Sequence, residues 1–312
     1  MRVVFAGTPE SAIPSLDAIH QSENHELIAV ITQPDAQSGR GRRVARSAVA
    51  RRAEELGIPL LQPENISDPA FVDELNSLQP DCCPIVAYGQ LLKKNVLTVP
   101  KFGWINLHFS LLPLWRGAAP VQWAIRAGDE VTGASTFLLE EGMDTGPIIG
   151  SITENIRNQD TTLTLMERLA TSGAALLVES LDALEQGIAS PLPQNNADAT
   201  YTKKISTDDA RIEWNLPAHI VSRRIRSVTP APGAWSELNG KRMKIGSVML
   251  ADTSAVQASA QQGQLIFDGK RLWVRAADDY LNVIEIQAPG KRMMSAADWA
   301  RGARLTGDEI LR

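Results

Sequence analysis

INLHFSLLPLWRGAAPVQWAI, residues 105–125, is the stretch on which the fold turns. Ile105 and Leu107 alternate with Asn106 and His108, so the two polar side chains share one face of a short strand, at its C-terminal end. A loop with Pro113 and Gly117 follows, and a helix opens near Pro120. The same strand–helix alternation repeats outward from it. Val3 to Ala6 is a short apolar run closed by Gly7, with Ile13, Leu16 and Ile19 at helical spacing behind Pro14. Leu27–Thr32, Asp81–Tyr88, Trp104–His108, Ala134–Leu139 and Ile148–Thr153 read as further strands, and Ala48–Leu56, ended by Gly57, as a helix. The clearest helix is Asp160–Glu185. There Met166, Ala170, Gly173, Leu177, Leu181 and Leu184 recur at three- and four-residue steps, and Gly187 stops it. This alternation predicts an α/β domain with a doubly wound parallel sheet over residues 1–190.

ASPLPQNNADAT, residues 189–200, is rich in Pro and Asn and has no periodicity; it reads as the start of an interdomain linker over 191–205. The texture then changes. One helical segment, Ala218–Val228, precedes short runs at Trp235–Leu238, Met243–Leu250, Gln264–Phe267, Leu272–Ala276 and Leu281–Gln287, separated by turns such as Asn239-Gly240 and Asp268-Gly269. Short strands with tight turns predict a small antiparallel barrel of the oligonucleotide-binding type over 206–312.

The composition excludes several classes. Two adjacent cysteines, Cys82 and Cys83, make neither a disulfide framework nor a cysteine zinc site, and the four histidines show no ligand spacing. No apolar run approaches the ~20 residues of a membrane helix. MRVVFAGTPE runs straight into a strand without signal-peptide architecture, so a soluble cytoplasmic protein is expected, without a metal. The net charge of −5 argues against a nucleic-acid partner when taken as an average, but the average hides two unlike parts. Residues 206–312 hold 15 Lys plus Arg against 12 Asp plus Glu; residues 1–205 hold 16 against 24. Within the acidic part, Arg40, Arg42, Arg43, Arg46, Arg51 and Arg52 fall in a stretch, Ala36–Ala53, with no acid. Such a loop, made flexible by Gly39 and Gly41, suits a phosphate backbone, though a solvated basic loop reads the same. In the second part Arg223, Arg224 and Arg226 share one helical segment, and Lys241, Arg242, Lys244 and Lys291-Arg292 lie near turns.

Asn106 and His108 sit where ligands bind an open α/β sheet, and an amide donor beside an imidazole suits an oxyanion of acyl transfer. The same pattern also fits two polar residues satisfied at a strand–loop junction. In EEGMDTGPIIG, residues 140–150, Gly142 and Gly146 bracket Asp144, which could orient a histidine or accept a proton, or simply bond its own turn. Gly7-Thr8-Pro9 lacks the G-x-G-x-x-G of a dinucleotide site.

In order along the chain, Asn106-x-His108, Ser110–Pro113, Arg116-Gly117 and Asp144-x-Gly146 resemble the folate-dependent formyltransferase family. FAGTPE (5–10), TQPDAQSGRGRR (32–43), AYGQLL (87–92), WRGAAPVQ (115–122), YTKKIS (201–206) and APGAW (231–235) are similar to the members that act on a tRNA, and together they span nearly the whole chain. The resemblance implies transfer of a formyl group from 10-formyltetrahydrofolate to the amine of initiator methionyl-tRNA, by a monomer. Asn106 and His108 match the pair that binds the formyl oxygen, and Asp144 the carboxylate that orients the histidine and helps take the amine proton. Ser110, Leu111, Leu112 and Pro113 match the segment lining the folate pocket. Arg40, Arg42 and Arg43 match the loop that enters the acceptor arm. The chain departs from the family at Ala36-Gln37, where a second proline is usual, and at Ala45–Ala48, which replaces a Pro-rich stretch. It also departs at Cys82-Cys83-Pro84, in place of a β-branched strand, and at Phe109, in place of a small residue. Rival expectations are formylation of a small amine, such as a nucleotide amino sugar or glycinamide ribonucleotide, and a non-catalytic RNA-binding protein.

Overall fold

The computed structural model describes residues 1–38, 43–251 and 260–312. It separates into two units. The first comprises Met1–Pro120, Val131–Asn155 and Met166–Thr202; the second comprises Val121–Glu130, Ile156–Leu165 and Lys203–Arg312.

In chain order the first part runs β1 (Arg2–Gly7), α1 (Ile13–His20), β2 (Glu26–Ile31), β3 (Ala36–Ser38), β4 (Arg43–Ala45), α2 (Ala48–Glu55), β5 (Leu60–Leu61), α3 (Pro69–Ser77), β6 (Cys83–Val86), α4 (Lys94–Leu97), β7 (Trp104–His108), β8 (Arg116–Gly117), α5 (Pro120–Ala127), β9 (Val131–Leu138), β10 (Ile148–Asn155), α6 (Thr162–Glu185) and β11 (Tyr201–Thr202). Seven strands form one sheet in the order β10-β9-β7-β6-β1-β2-β5. β1, β2, β5, β6 and β7 pair in parallel, as expected for strands whose residues are apolar on both faces. β9 and β10 do not: β9 pairs antiparallel with β7, and β10 antiparallel with β9. The connection 139–147 is shorter than the roughly dozen residues of a parallel crossover, so the pair closes as a hairpin. Strand order reverses between β1 and β6, the crevice where open α/β sheets bind ligands, and β7 ends one strand away.

The core explains two oddities of the sequence. Cys82 and Cys83 are fully buried, where burial pushes the Cys82 thiol up to about 12 and Cys83 higher than its ordinary value, so both are inert core residues. Phe109 is buried too. α6 packs on the far sheet strands, with Gly173 against Leu107 and the Ser180 hydroxyl 2.7 Å from that of Thr136.

The second unit continues with α7 (Ala218–Ser227), β12 (Trp235–Leu238), β13 (Lys241–Ile245), β14 (Val248–Leu250), β15 (Leu265–Phe267), β16 (Leu272–Arg275), β17 (Tyr280–Val283), β18 (Glu285–Gln287), β19 (Met294–Ser295) and α8 (Ala296–Ala303). All its strand pairs are antiparallel, in two four-stranded sheets ordered β12-β13-β18-β19 and β14-β17-β16-β15. Two runs that read as single strands each divide: one after Ile245, the other after Val283. Gly246 lies at the first break, where a Cβ would meet the Glu285 side chain. No helix among the described residues is long and apolar enough to cross a membrane.

Candidate active site

β7 delivers Asn106 and His108 to the C-terminal edge of the sheet with the bounds the sequence predicts. Asn106 is half-buried, and its carboxamide has no protein hydrogen-bond partner among the described residues. His108 is 7% exposed, its ring edge-on to Phe137 at 6.5 Å. Its Nε2 lies 2.9 Å from the Trp115 carbonyl oxygen. A carbonyl only accepts, so Nε2 carries the proton of that bond, and Nδ1 is the nitrogen turned to Asp144. Nδ1 lies 3.7 Å from Asp144 Oδ2, within ion-pair range and too long for a hydrogen bond.

Asp144 is held elsewhere. Its Oδ2 accepts from the Gly117 amide at 2.6 Å. Its backbone is left-handed, φ 52°, a conformation costing a residue with a Cβ ~1–2 kcal/mol and kept only where its surroundings enforce it. Gly146, two residues on, passes so close to the Leu138 carbonyl oxygen that a Cβ has no room there. His108 and Asp144 are thus brought together, with Asn106 two residues before His108 on the same strand.

The folate-matching segment divides in two. Ser110 is fully buried, and its hydroxyl donates to the Leu114 carbonyl at 2.6 Å, while its own carbonyl accepts from Ser135 Oγ at 2.8 Å. Leu112 is buried beside it. Leu111 and Pro113 are half-exposed and remain available for contact. At the neighbouring strand ends, the Tyr88 carbonyl accepts from Thr8 Oγ1 at 2.8 Å and Gln33 Nε2 at 3.1 Å.

Of the basic loop, Arg40 and Arg42 lie outside the described residues; Arg43 opens β4, which pairs antiparallel with β3. The other arginines of that stretch are already neutralised. Arg46 pairs with Glu54 and Asp35, Arg51 with Glu10 at 3.0 Å, and Arg52 with Asp17 at 2.7 Å and Glu55 at 2.8 Å. In the second unit Arg224 pairs with Glu213 at 3.0 Å, and Arg226 donates to the Asp160 carbonyl at 2.7 Å, so these two helix cations serve internal contacts. Lys241, Arg242, Lys291 and Arg292 are exposed. Arg242 lies 3.8 Å over the Trp235 ring, with Arg211 5.3 Å from it.

Residues 192–202, which read from the sequence as linker and the start of YTKKIS, are more than a connection. They are stitched into the site: Thr200 Oγ1 accepts from the Trp115 amide at 2.7 Å, β11 pairs with β8, and Gln194 reaches both Arg116 and the Asp144 loop. A Pro- and Asn-rich composition carries no periodicity from which such contacts could be read.

The formyl transferase pattern matches residues 1–181, and the formyl transferase C-terminal domain pattern matches 204–304. The chain is 55% identical over 309 residues to the methionyl-tRNA formyltransferase of Rhodococcus erythropolis, covering 99% of each chain. It is 52% identical to that of Thermobifida fusca, covering 99% of this chain and 98% of the relative. Among solved structures, HypX from Aquifex aeolicus, in complex with tetrahydrofolic acid, superposes with a TM-score of 0.69 at 16% identity, over 98% of this chain. The chain spans about half the length of that protein (48%). With both patterns matched in order and full-length relatives above 50% identity, the chain belongs to the formyl transferase family.

Proposed function

We propose that the chain transfers the formyl group of 10-formyltetrahydrofolate to the amino group of Met on initiator tRNA. One observation carries the reading: relatives named methionyl-tRNA formyltransferase match at 55% and 52% identity over 99% of this chain. The residues present fit the co-substrate. Asn106 offers an amide donor without a protein partner among the described residues at a sheet edge that suits ligands, and Leu111 and Pro113 in the loop that follows its strand are half-exposed. Those three, with Ser110 and Leu112 shaping the segment behind them, would hold it; when bound it supplies an electrophilic formyl carbon.

The chain's own groups then do the following. Asn106 donates to the formyl oxygen as that oxygen gains negative charge, and His108, fixed through Nε2 by Trp115, presents Nδ1 to the same region. A protonated amine cannot attack, so a base must take its proton; the Asp144 carboxylate, 3.7 Å from Nδ1, serves as that base, and the proton it takes balances the one the folate nitrogen needs as its bond to the formyl carbon breaks and tetrahydrofolate leaves. Residues 1–190 form the catalytic domain, 191–205 the connection, and 206–312 a tRNA-binding domain. Arg40, Arg42 and Arg43 grip the acceptor arm, and the protein works as a cytoplasmic monomer.

Side-by-side assays with Met-tRNA, glycinamide ribonucleotide and a 4-amino sugar nucleotide test the substrate. Formylation of Met-tRNA alone is expected, and turnover of either small amine at a comparable rate sinks the reading.

A further inference from the structure

We infer that Gln194 is a positioning residue that sets the Asp144 carboxylate against His108. The inference rests on Asp144 being the acid–base group proposed above. Gln194 touches no reacting atom. Its Nε2 donates to two carbonyl oxygens of the catalytic loop, Asp144 at 2.8 Å and Gly146 at 2.7 Å. Its Oε1 accepts two bonds from Arg116, from Nε at 3.0 Å and Nη2 at 2.8 Å. A flipped carboxamide would aim its NH2 at a guanidinium and its oxygen at two carbonyls, so the orientation is forced.

Arg116 supplies the rigidity. It is fully buried, and its other donors go to neutral acceptors: Nη1 bonds Asn196 Oδ1 at 3.0 Å and the Tyr201 hydroxyl at 3.1 Å. Its backbone amide donates to the Thr200 carbonyl at 2.8 Å. The next residue, Gly117, holds the Asp144 carboxylate itself. Asp144 is thus gripped at both ends: its carbonyl by Gln194, its carboxylate by the residue after Arg116. A left-handed Asp between two glycine-bracketed turns needs such a grip to hold one conformation. The position of the carboxylate relative to Nδ1 is what the grip fixes.

Gln194→Glu separates the two ends of the side chain. It keeps an oxygen for Arg116, and replaces the donor to the loop with an acceptor facing two carbonyls. Gln194→Met removes both ends and serves as the second variant. In formylation assays with Met-tRNA, Gln194→Glu should lower kcat at least ~10-fold, a misplacement effect, and leave both KM values nearly unchanged. The pH profile of kcat should shift, because the coupling between Asp144 and His108 changes, while the melting temperature stays near native. In an Asp144→Asn background, Gln194→Glu should cost nothing further. A native kcat and pH profile in both Gln194 variants overturns the inference, as does the same fold-loss with and without the Asp144 carboxylate. Near-normal kcat in Asp144→Asn alone instead overturns the role of Asp144, and the inference with it.

Discussion

In the first unit two charges are held fixed: Arg116 is buried among neutral acceptors, and the half-buried Asp144 is bonded through its carboxylate and its carbonyl. In the second, exposed Arg242 stacks on Trp235, with Arg211 near the same ring. The difference teaches what each task demands. Acyl transfer needs donors aimed to a fraction of an ångström at one oxygen, and that requires strained backbone held by many bonds. Attraction of a polyanion needs cations in solvent, where a stacked arginine gains ~0.5–1 kcal/mol and keeps its donors for phosphate.

The sharpest way to break this comparison is to remove one buried group and one exposed group and read both activities. His108→Ala should cut formyl transfer at least ~100-fold, as loss of one oxyanion-stabilising group does elsewhere. Its tRNA affinity should stay native; an activity near native would strip His108 of its role. Arg242→Ala should do the reverse. It should leave kcat at saturating Met-tRNA unchanged, weaken tRNA binding severalfold, and lower the slope of log affinity against log salt by ~1. Unchanged salt dependence would move the RNA surface away from Trp235. Arg226→Ala sharpens the contrast within the second unit. Its guanidinium serves the Asp160 carbonyl, so the loss should appear as ~1–3 kcal/mol of stability in denaturant titration, with the salt slope intact.

How far the sequence could be read follows from what periodicity encodes. Alternation of Ile105 and Leu107 with Asn106 and His108 defined β7 to the residue, and family resemblance assigned the chemistry. Strand direction is not written in a period of two, so the antiparallel turn of β9 and β10 surfaced only in the structure. The sequence signal of α3 lies in its start and not in periodicity: Asp68 caps it through the Ala70 amide, with Pro69 at its first turn. Gln194 left no signal, because a side chain that bridges a buried arginine to a distant loop looks, in sequence, like any polar linker residue. Charge counting failed for a related reason. Arg46, Arg51, Arg52, Arg224 and Arg226 look like surface charge in a row of letters, yet acids or carbonyls from elsewhere in the chain engage each of them.

The smallest expected effect concerns a buried titratable group outside the proposed catalytic residues, and asks whether burial alone leaves a titration mark. His25 is buried, with Nε2 3.2 Å from Asp182 and Nδ1 3.7 Å from Glu185, and the Met1 ammonium 2.8 Å from Glu185. Burial and that ammonium lower its pKa from the usual 6.5, against the two carboxylates, which raise it. A histidine lowered in the folded state binds its proton more readily when unfolded. Its contribution to stability is therefore complete above the unfolded value and is lost as pH falls from ~6.5 toward the lower folded value. Melting temperatures at about pH 7.5 and about pH 5.5 should differ by more in the native chain than in His25→Gln, the excess being on the order of 1–2 °C. An equal or larger difference in the variant would mean that Asp182 and Glu185, not burial, govern the ring. His25 with its two carboxylates would then behave as an ion pair of the kind Arg46, Arg51 and Arg52 make at the surface of the same unit.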